Sequence, residues 1–311
     1  MCLKPRIRIA FDYQWKGFSP DIFYSYFPFL SLKYDLEISR KPEVVFYATF
    51  SRYNESCWPD ARRWLRVMPV FKPGKFVRVF MTGENVEPLM DECDFAISFS
   101  TIIDHPNHLF LPLWVYDLRQ WGFSAASLLK PADADWERVA SEKTKFCNFI
   151  YAHPVRFRDA VFTAVNKYRR VDAPGRCQNN MDGRLLLPGF PGKIAFIKPY
   201  KFTLAVENSI WPGYATEKLV QPMFCSSIPV YVGDPLARHS FDPDSYIDFT
   251  RFRSLREMAE FVREVDNDKS LYLKMLAAPN FRDNQIPDYA REERIAAFLD
   301  RIFQEVIARR S

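Results

Sequence analysis

The feature that most restricts the fold is a recurrent short run of apolar residues with few polar interruptions. In the first half these are IRIAF (7–11), VVFYATF (44–50), FVRVFM (76–81) and FAISF (95–99). In the second half they are FCNFIYA (146–152), FTLAVE (202–207), IPVYVG (228–233) and SYIDF (245–249). Runs of this kind suit strands buried on both faces, the condition of a parallel sheet. The intervening segments DIFYSYFPFLSL and DARRWLRVM have helical or mixed character. RDAVFTAVNKYRR (158–170) places Ala160, Val161, Ala164, Val165 and Tyr168 on one side of a helix. SLREMAEFVREV (254–265) predicts an amphipathic helix, with Ser254 as its N-cap and Glu257 at the capping-box position. TEKLVQPMF opens as a helix that must hold Pro222 in its first turns or kink there. Strands alternating with helices predict an α/β fold. Around 114–140 the pattern weakens, as LPLWVYD gives way to KPADADWERVASEKTK. The expected organisation is therefore two Rossmann-like domains, 1–140 and 141–285, facing a central cleft, with an amphipathic helix over 286–311. Such domains bind ligands beyond the carboxyl ends of their strands, where helix N-termini present positive dipole ends to anions. No GxGxxG is present, so a dinucleotide site is not expected.

Composition narrows the partners. The net charge of +5 suits an anionic substrate or membrane surface without requiring either. No basic arm, zinc-finger or RNP-type motif appears, which argues against nucleic acid. Cys2, Cys57, Cys93, Cys147, Cys177 and Cys225 are scattered, with no pair at metal-ligand spacing. No signal-peptide core or membrane-length apolar stretch is seen, so the expectation is a cytoplasmic protein with reduced thiols. The amphipathic C-terminal helix is expected to dock on the protein itself, with peripheral contact at the inner face of the membrane as the alternative. His105 and His108 flank Pro106 in a loop sequence that disfavours a metal pair.

The segment with the most chemistry is YKFTLAVENSIWPGYATEKLVQPMFCSSIPVYVGDP (200–235). A strand ends in Glu207 and Asn208, a turn-rich passage holds Pro212 and Gly213, and a helix opens behind Thr216 as N-cap. Glu217 and Lys218 then project from its first turn. A helix N-terminus with a lysine suits a phosphate, and an adjacent carboxylate suits sugar hydroxyls. The plainer reading keeps Glu217 as a complement to the helix dipole and Lys218 as a solvated cation.

This segment closely resembles the donor motif of the α-1,3/4-fucosyltransferases, glycosyltransferase family 10. The resemblance rests on YKF, VENS, PGYATEK, and SIPVYVGDP followed by FDPDSYIDF. It extends to WKGF (15–18), MTGEN (81–85), CDFAISF with LPLWVYD, and AAPNFRDN (277–284). It covers nearly the whole chain, with gaps near 100–145 and 170–195. Val206 replaces the usual aromatic before Glu-Asn, Trp211 lies in a variable stretch, and no heptad-repeat extension follows.

The resemblance implies a GT-B architecture, with 1–140 binding the acceptor and 141–285 the GDP-fucose donor. It implies inversion by single displacement, which needs a base for the acceptor hydroxyl proton. The matching glutamate is Glu84, which follows the strand run 76–81; a turn carboxylate is its plainer role. Lys218 and Arg158 match the cations on the departing diphosphate, with Arg156 and Arg176 as alternatives to the arginine. Asn208, Tyr214, Glu217 and Glu207 match donor-site positions. The implied acceptor is N-acetyllactosamine-like, in a surface polysaccharide, with the 3- and 4-hydroxyls both open; the alternatives are a family relative using another nucleotide-linked sugar and a non-catalytic sugar-nucleotide-binding protein. No metal is expected to be essential, with Mg²⁺ or Mn²⁺ only assisting in neutralising the diphosphate. Asp242 and Asp244 have DxD spacing but are expected to form a turn around Pro243.

Overall fold

Two α/β units emerge from the computed structural model, which describes residues 4–49, 76–181 and 189–310. One comprises Met1–Phe123 with Asp288–Ser311, the other Ser124–Pro287. The expected helix at DARRWLRVM, the end of the 44–50 run, Cys2 and Cys57 lie outside the described residues.

In the first unit, β1 (Arg6–Asp12), β2 (Asp35–Ile38), β3 (Val44–Tyr47), β4 (Val77–Met81), β5 (Phe95–Ser98) and β6 (His108–Phe110) form one sheet, ordered β2-β1-β3-β4-β5-β6. Every pairing is parallel. Every residue of β3, β4 and β5 is buried, as the unbroken apolar runs require. The edge strands β2 and β6 are short and partly exposed; no apolar run announces β2, and β6 merges into the apolar run 109–116 that continues into the helix Leu113–Gln120. Because all strands share a direction, their carboxyl ends line one edge. That edge carries Trp15 and Phe18 after β1, Thr49 after β3, Thr82 and Glu84 after β4, and Ser100 after β5.

The helix Glu292–Ala308 belongs to this first unit, contrary to the expected separate piece at 286–311. Ile295, Phe298, Leu299, Ile302, Phe303 and Val306 are buried. Phe298 meets Phe95 edge-on with centroids 5.9 Å apart, and Phe303 packs on Tyr34 at 4.8 Å. The apolar stripe thus completes the first core, as the docking expectation requires. Among the described residues no helix is long and apolar enough to cross a membrane.

In the second unit, β7 (Lys145–Asn148), β8 (Val171–Asp172), β9 (Tyr200–Val206), β10 (Ile228–Val232) and β11 (Ile247–Asp248) form a parallel sheet ordered β11-β10-β9-β7-β8. The chain leaves β7 for the edge at β8, then returns to β9 on the other side of β7. The switch in strand order between β7 and β9 is where open α/β sheets bind ligands. The helices after these two strands, Arg156–Asn166 and Glu217–Phe224, border that point.

This unit begins at Ser124, not near 140. The polar stretch 130–145 conceals its attachment. Asp135 caps the helix Trp136–Ser141, whose Trp136 and Val139 pack on the second core. Lys130 donates to the carbonyl of Leu276 at 2.7 Å. Ser254 caps the helix Leu255–Asn267 through the Glu257 N–H (3.2 Å), and the Glu257 carboxylate accepts from Arg253 rather than from Ser254. Pro222 lies inside the helix Glu217–Phe224, beyond its first turn.

Candidate donor site at the strand switch

The site grows from the carboxyl end of β9. Glu207 directly follows that strand, and its side chain is fully enclosed. A buried carboxylate is costly unless it is bonded. Here Thr216 donates to it twice, from its backbone N–H at 2.8 Å and from its hydroxyl at 2.8–2.9 Å. The Lys218 ammonium lies 3.4 Å away. Burial pushes the Glu207 carboxyl above its ordinary range, opposed by Lys218 and the Thr216 bonds.

Thr216 caps the helix Glu217–Phe224, accepting from the Lys218 N–H. That cap places Lys218 Nζ 3.0 Å from the Thr216 hydroxyl and 3.2 Å from Glu217 Oε1. Burial would lower the lysine, but Glu217 and Glu207 outweigh it and the ammonium is held above its usual range. Burial would raise Glu217, yet Lys218 and Lys193 hold its carboxyl down at about 2.

Arg158, in the first turn of Arg156–Asn166, is buried. Its Nε and Nη2 donate to the Val206 carbonyl at 3.0 and 2.9 Å, and Nη2 also donates to Asn208 Oδ1. Among the described residues, Nη1 has no hydrogen-bond partner. Burial lowers this guanidinium and Glu207 and Glu217 pull it back; it stays charged. The alternatives Arg156 and Arg176 are exposed, and neither joins this cluster. Tyr214 is buried, with its N–H donating to Trp211 at 3.1 Å, and it acts electrostatically on Arg158. The structure therefore brings Arg158, Glu207, Asn208, Tyr214, Glu217 and Lys218 together. Counting Lys193, three cations stand against Glu207 and Glu217 here, with Lys218 shared between the two carboxylates.

The sequence reading missed three contributors. Asp234 accepts from the Gly213 and Leu236 N–H groups, both at 2.8 Å, fixing the turn that carries Tyr214. Gly213 has φ +81°, which its lack of a Cβ permits. At Gly233 a Cβ would fall 2.5 Å from Glu207 Cγ and 2.4 Å from the Tyr231 hydroxyl, so only glycine lets the strand end approach the carboxylate. The VGDP string was a visible signal for Gly233 and Asp234. Lys193 had none.

In the first unit Glu84 is half-buried in the turn after β4. Its N–H donates to Thr82 Oγ1 at 3.2 Å, and its carbonyl accepts from Val86 at 2.8 Å. It thus stands at a strand's carboxyl end, as expected. Asp242 accepts from the Asp244 N–H at 2.9 Å, the expected turn. Both ring nitrogens of His108 are engaged, with Ser98 and with the Ile103 carbonyl.

Comparison with known proteins extends these observations. Residues 140–292 match the model of glycosyltransferase family 10 (fucosyltransferase) C-term. Residues 71–116 match the alpha-(1,3)-fucosyltransferase FucT N-terminal domain. A protein of Acanthamoeba polyphaga mimivirus named as a fucosyltransferase is 33% identical over 250 residues, spanning 76% of this chain and 39% of its own. The alpha-(1,3)-fucosyltransferase FucT of Helicobacter pylori is 28% identical over 225 residues, spanning 64% of this chain and 46% of its own. The chain thus spans less than half the length of these curated relatives. GDP-fucose protein O-fucosyltransferase 3 of Mus musculus is 35% identical over 125 residues, 38% of this chain and 26% of its own. A crystal structure of an alpha1,3-fucosyltransferase with GDP-fucose has a TM-score of 0.74 at 24% identity, covering 97% of this chain and 92% of that one. That likeness shows the GT-B fold. The chain belongs to glycosyltransferase family 10, the fucosyltransferase family.

Proposed function

We propose that this protein moves fucose from GDP-fucose to a hydroxyl of a glycan, O3 of N-acetylglucosamine in an N-acetyllactosamine-like acceptor, with inversion at the anomeric carbon. The observation that carries this reading is the cationic cluster at the β7/β9 switch, in a chain of this family. In the proposed step the acceptor hydroxyl gives its proton to the Glu84 carboxylate while its oxygen attacks the anomeric carbon. The bond from that carbon to the phosphate oxygen breaks, and GDP leaves with the electron pair. Lys218 and Nη1 of Arg158 would meet the charge growing on the diphosphate, already oriented and partly dehydrated. Glu217 would accept hydrogen bonds from donor hydroxyls. The ammonium and guanidinium supply the neutralisation, so no metal is essential in this scheme, and chelation would reduce the rate at most partly.

Release of GDP from GDP-fucose tests this against a panel of galactose- and N-acetylglucosamine-containing acceptors. Fucosylation at O3 of N-acetylglucosamine is expected. Turnover of another nucleotide sugar alone would overturn the donor assignment. The partial match to protein O-fucosyltransferases favours one other acceptor, a protein hydroxyl, so the panel includes folded serine- and threonine-bearing domains.

A further inference from the structure

Lys193 lies on the helix Gly189–Ile197, outside the segment 200–235 and outside every element that supplies the other site residues. Its ammonium stands 3.9 Å from Oε1 of Glu217, and its side chain is one-third exposed. Lys218 approaches the same oxygen at 3.2 Å. Both ammonium groups therefore have an approach to Oε1 of Glu217. A carboxylate flanked by cations from two separate helices is favoured in the orientation that faces both.

We infer that Lys193 is a positioning residue of the donor site, orienting the Glu217 carboxylate toward donor hydroxyls through their ion pair. This rests on the donor reading above. Lys193 acts through Glu217 and not on the diphosphate. The consequence for pH has a definite sign. Glu217 accepts hydroxyl bonds most strongly when ionised, and its carboxyl is held down at about 2, by Lys218 and Lys193 against burial. Removing one of those cations moves the carboxyl upward, so the acid limb of donor binding moves to higher pH.

The test is a double-mutant cycle of Lys193→Met with Glu217→Gln, with Lys193→Arg as the conservative control. Donor affinity is read by calorimetry with GDP-fucose, turnover by GDP release, and folding by thermal melting. Lys193→Met is expected to raise KM for GDP-fucose about fivefold, the scale of a partly exposed ion pair, with a smaller change in kcat. Lys193→Arg is expected to restore affinity to within about twofold, because a guanidinium also reaches a carboxylate. In the Glu217→Gln background, Lys193→Met is expected to change nothing further. An undiminished effect in that background would overturn the inference, because Lys193 would then act directly on the donor. Equal affinities of wild type and Lys193→Met would overturn it too. Wild type that binds no GDP-fucose would overturn the donor reading and this inference together, an outcome distinct from the other two.

Discussion

Thr216 concentrates several demands in one side chain. Its hydroxyl donates to Glu207 and accepts from both the N–H and the ammonium of Lys218. Thr216→Val keeps the shape and the backbone bond to Glu207 but removes the cap and the hydroxyl bonds. The expected loss is about 2–3 kcal/mol, from one N-cap and one under-bonded buried carboxylate. Chemical denaturation checks it, and Thr216→Ser should recover most of the loss. Thr216 was legible as a cap because it precedes an apolar-periodic run. Its bonds to Glu207 were not, since nothing in the string says which carboxylate folds onto the cap. Arg158 was recognisable by resemblance and is distinguished from Arg156 and Arg176 by its burial. That it spends two of its nitrogens on the Val206 carbonyl depends on how helix and strand pack, which spacing does not encode.

At the scale of elements, two helices bring their lysines to Glu217: Gly189–Ile197 with Lys193 and Glu217–Phe224 with Lys218. Both are tied at the opposite end by Lys143. Its Nζ donates to the carbonyls of Lys198 at 2.7 Å and Cys225 at 2.6 Å, just past the two C-termini. A cation there also complements both helix dipoles. Lys143→Met should cost about 2–4 kcal/mol at neutral pH, the expense of two carbonyls left without a donor. Urea unfolding measures that loss, and weakened GDP-fucose binding should accompany it. The central strands were legible as unbroken apolar runs. The edge strands β2 and β8 were not, because two to four partly exposed residues leave no periodic trace, and β6 was hidden in an apolar run that continues into the next helix. The C-terminal helix was visible as amphipathic, but its partner was not. Its stripe completes the core of the first unit through Phe298 and Phe303, in contacts with residues more than 200 positions away in the sequence.

For the whole molecule, the proposed transfer needs both units. The second supplies the donor cluster, built from β7, β9 and the helices that follow them. The first supplies Glu84 at the carboxyl edge of its own sheet. The division of the chain follows packing rather than sequence order, since the segment 288–311 returns to the first unit and 124–140 belongs to the second. Polar composition concealed that boundary, because its few apolar anchors, such as Trp136 and Val139, sit among charged neighbours. If binding and proton removal reside in different units, single substitutions should separate them. The most direct measurement titrates GDP-fucose calorimetrically into wild type, Glu84→Gln and Lys218→Ala, with GDP release followed on the same samples. Glu84→Gln should bind within about twofold of wild type yet lose at least about a hundredfold in kcat, and Lys218→Ala should bind about tenfold or more weakly. Turnover preserved in Glu84→Gln, or undiminished binding in Lys218→Ala, would contradict this assignment of roles.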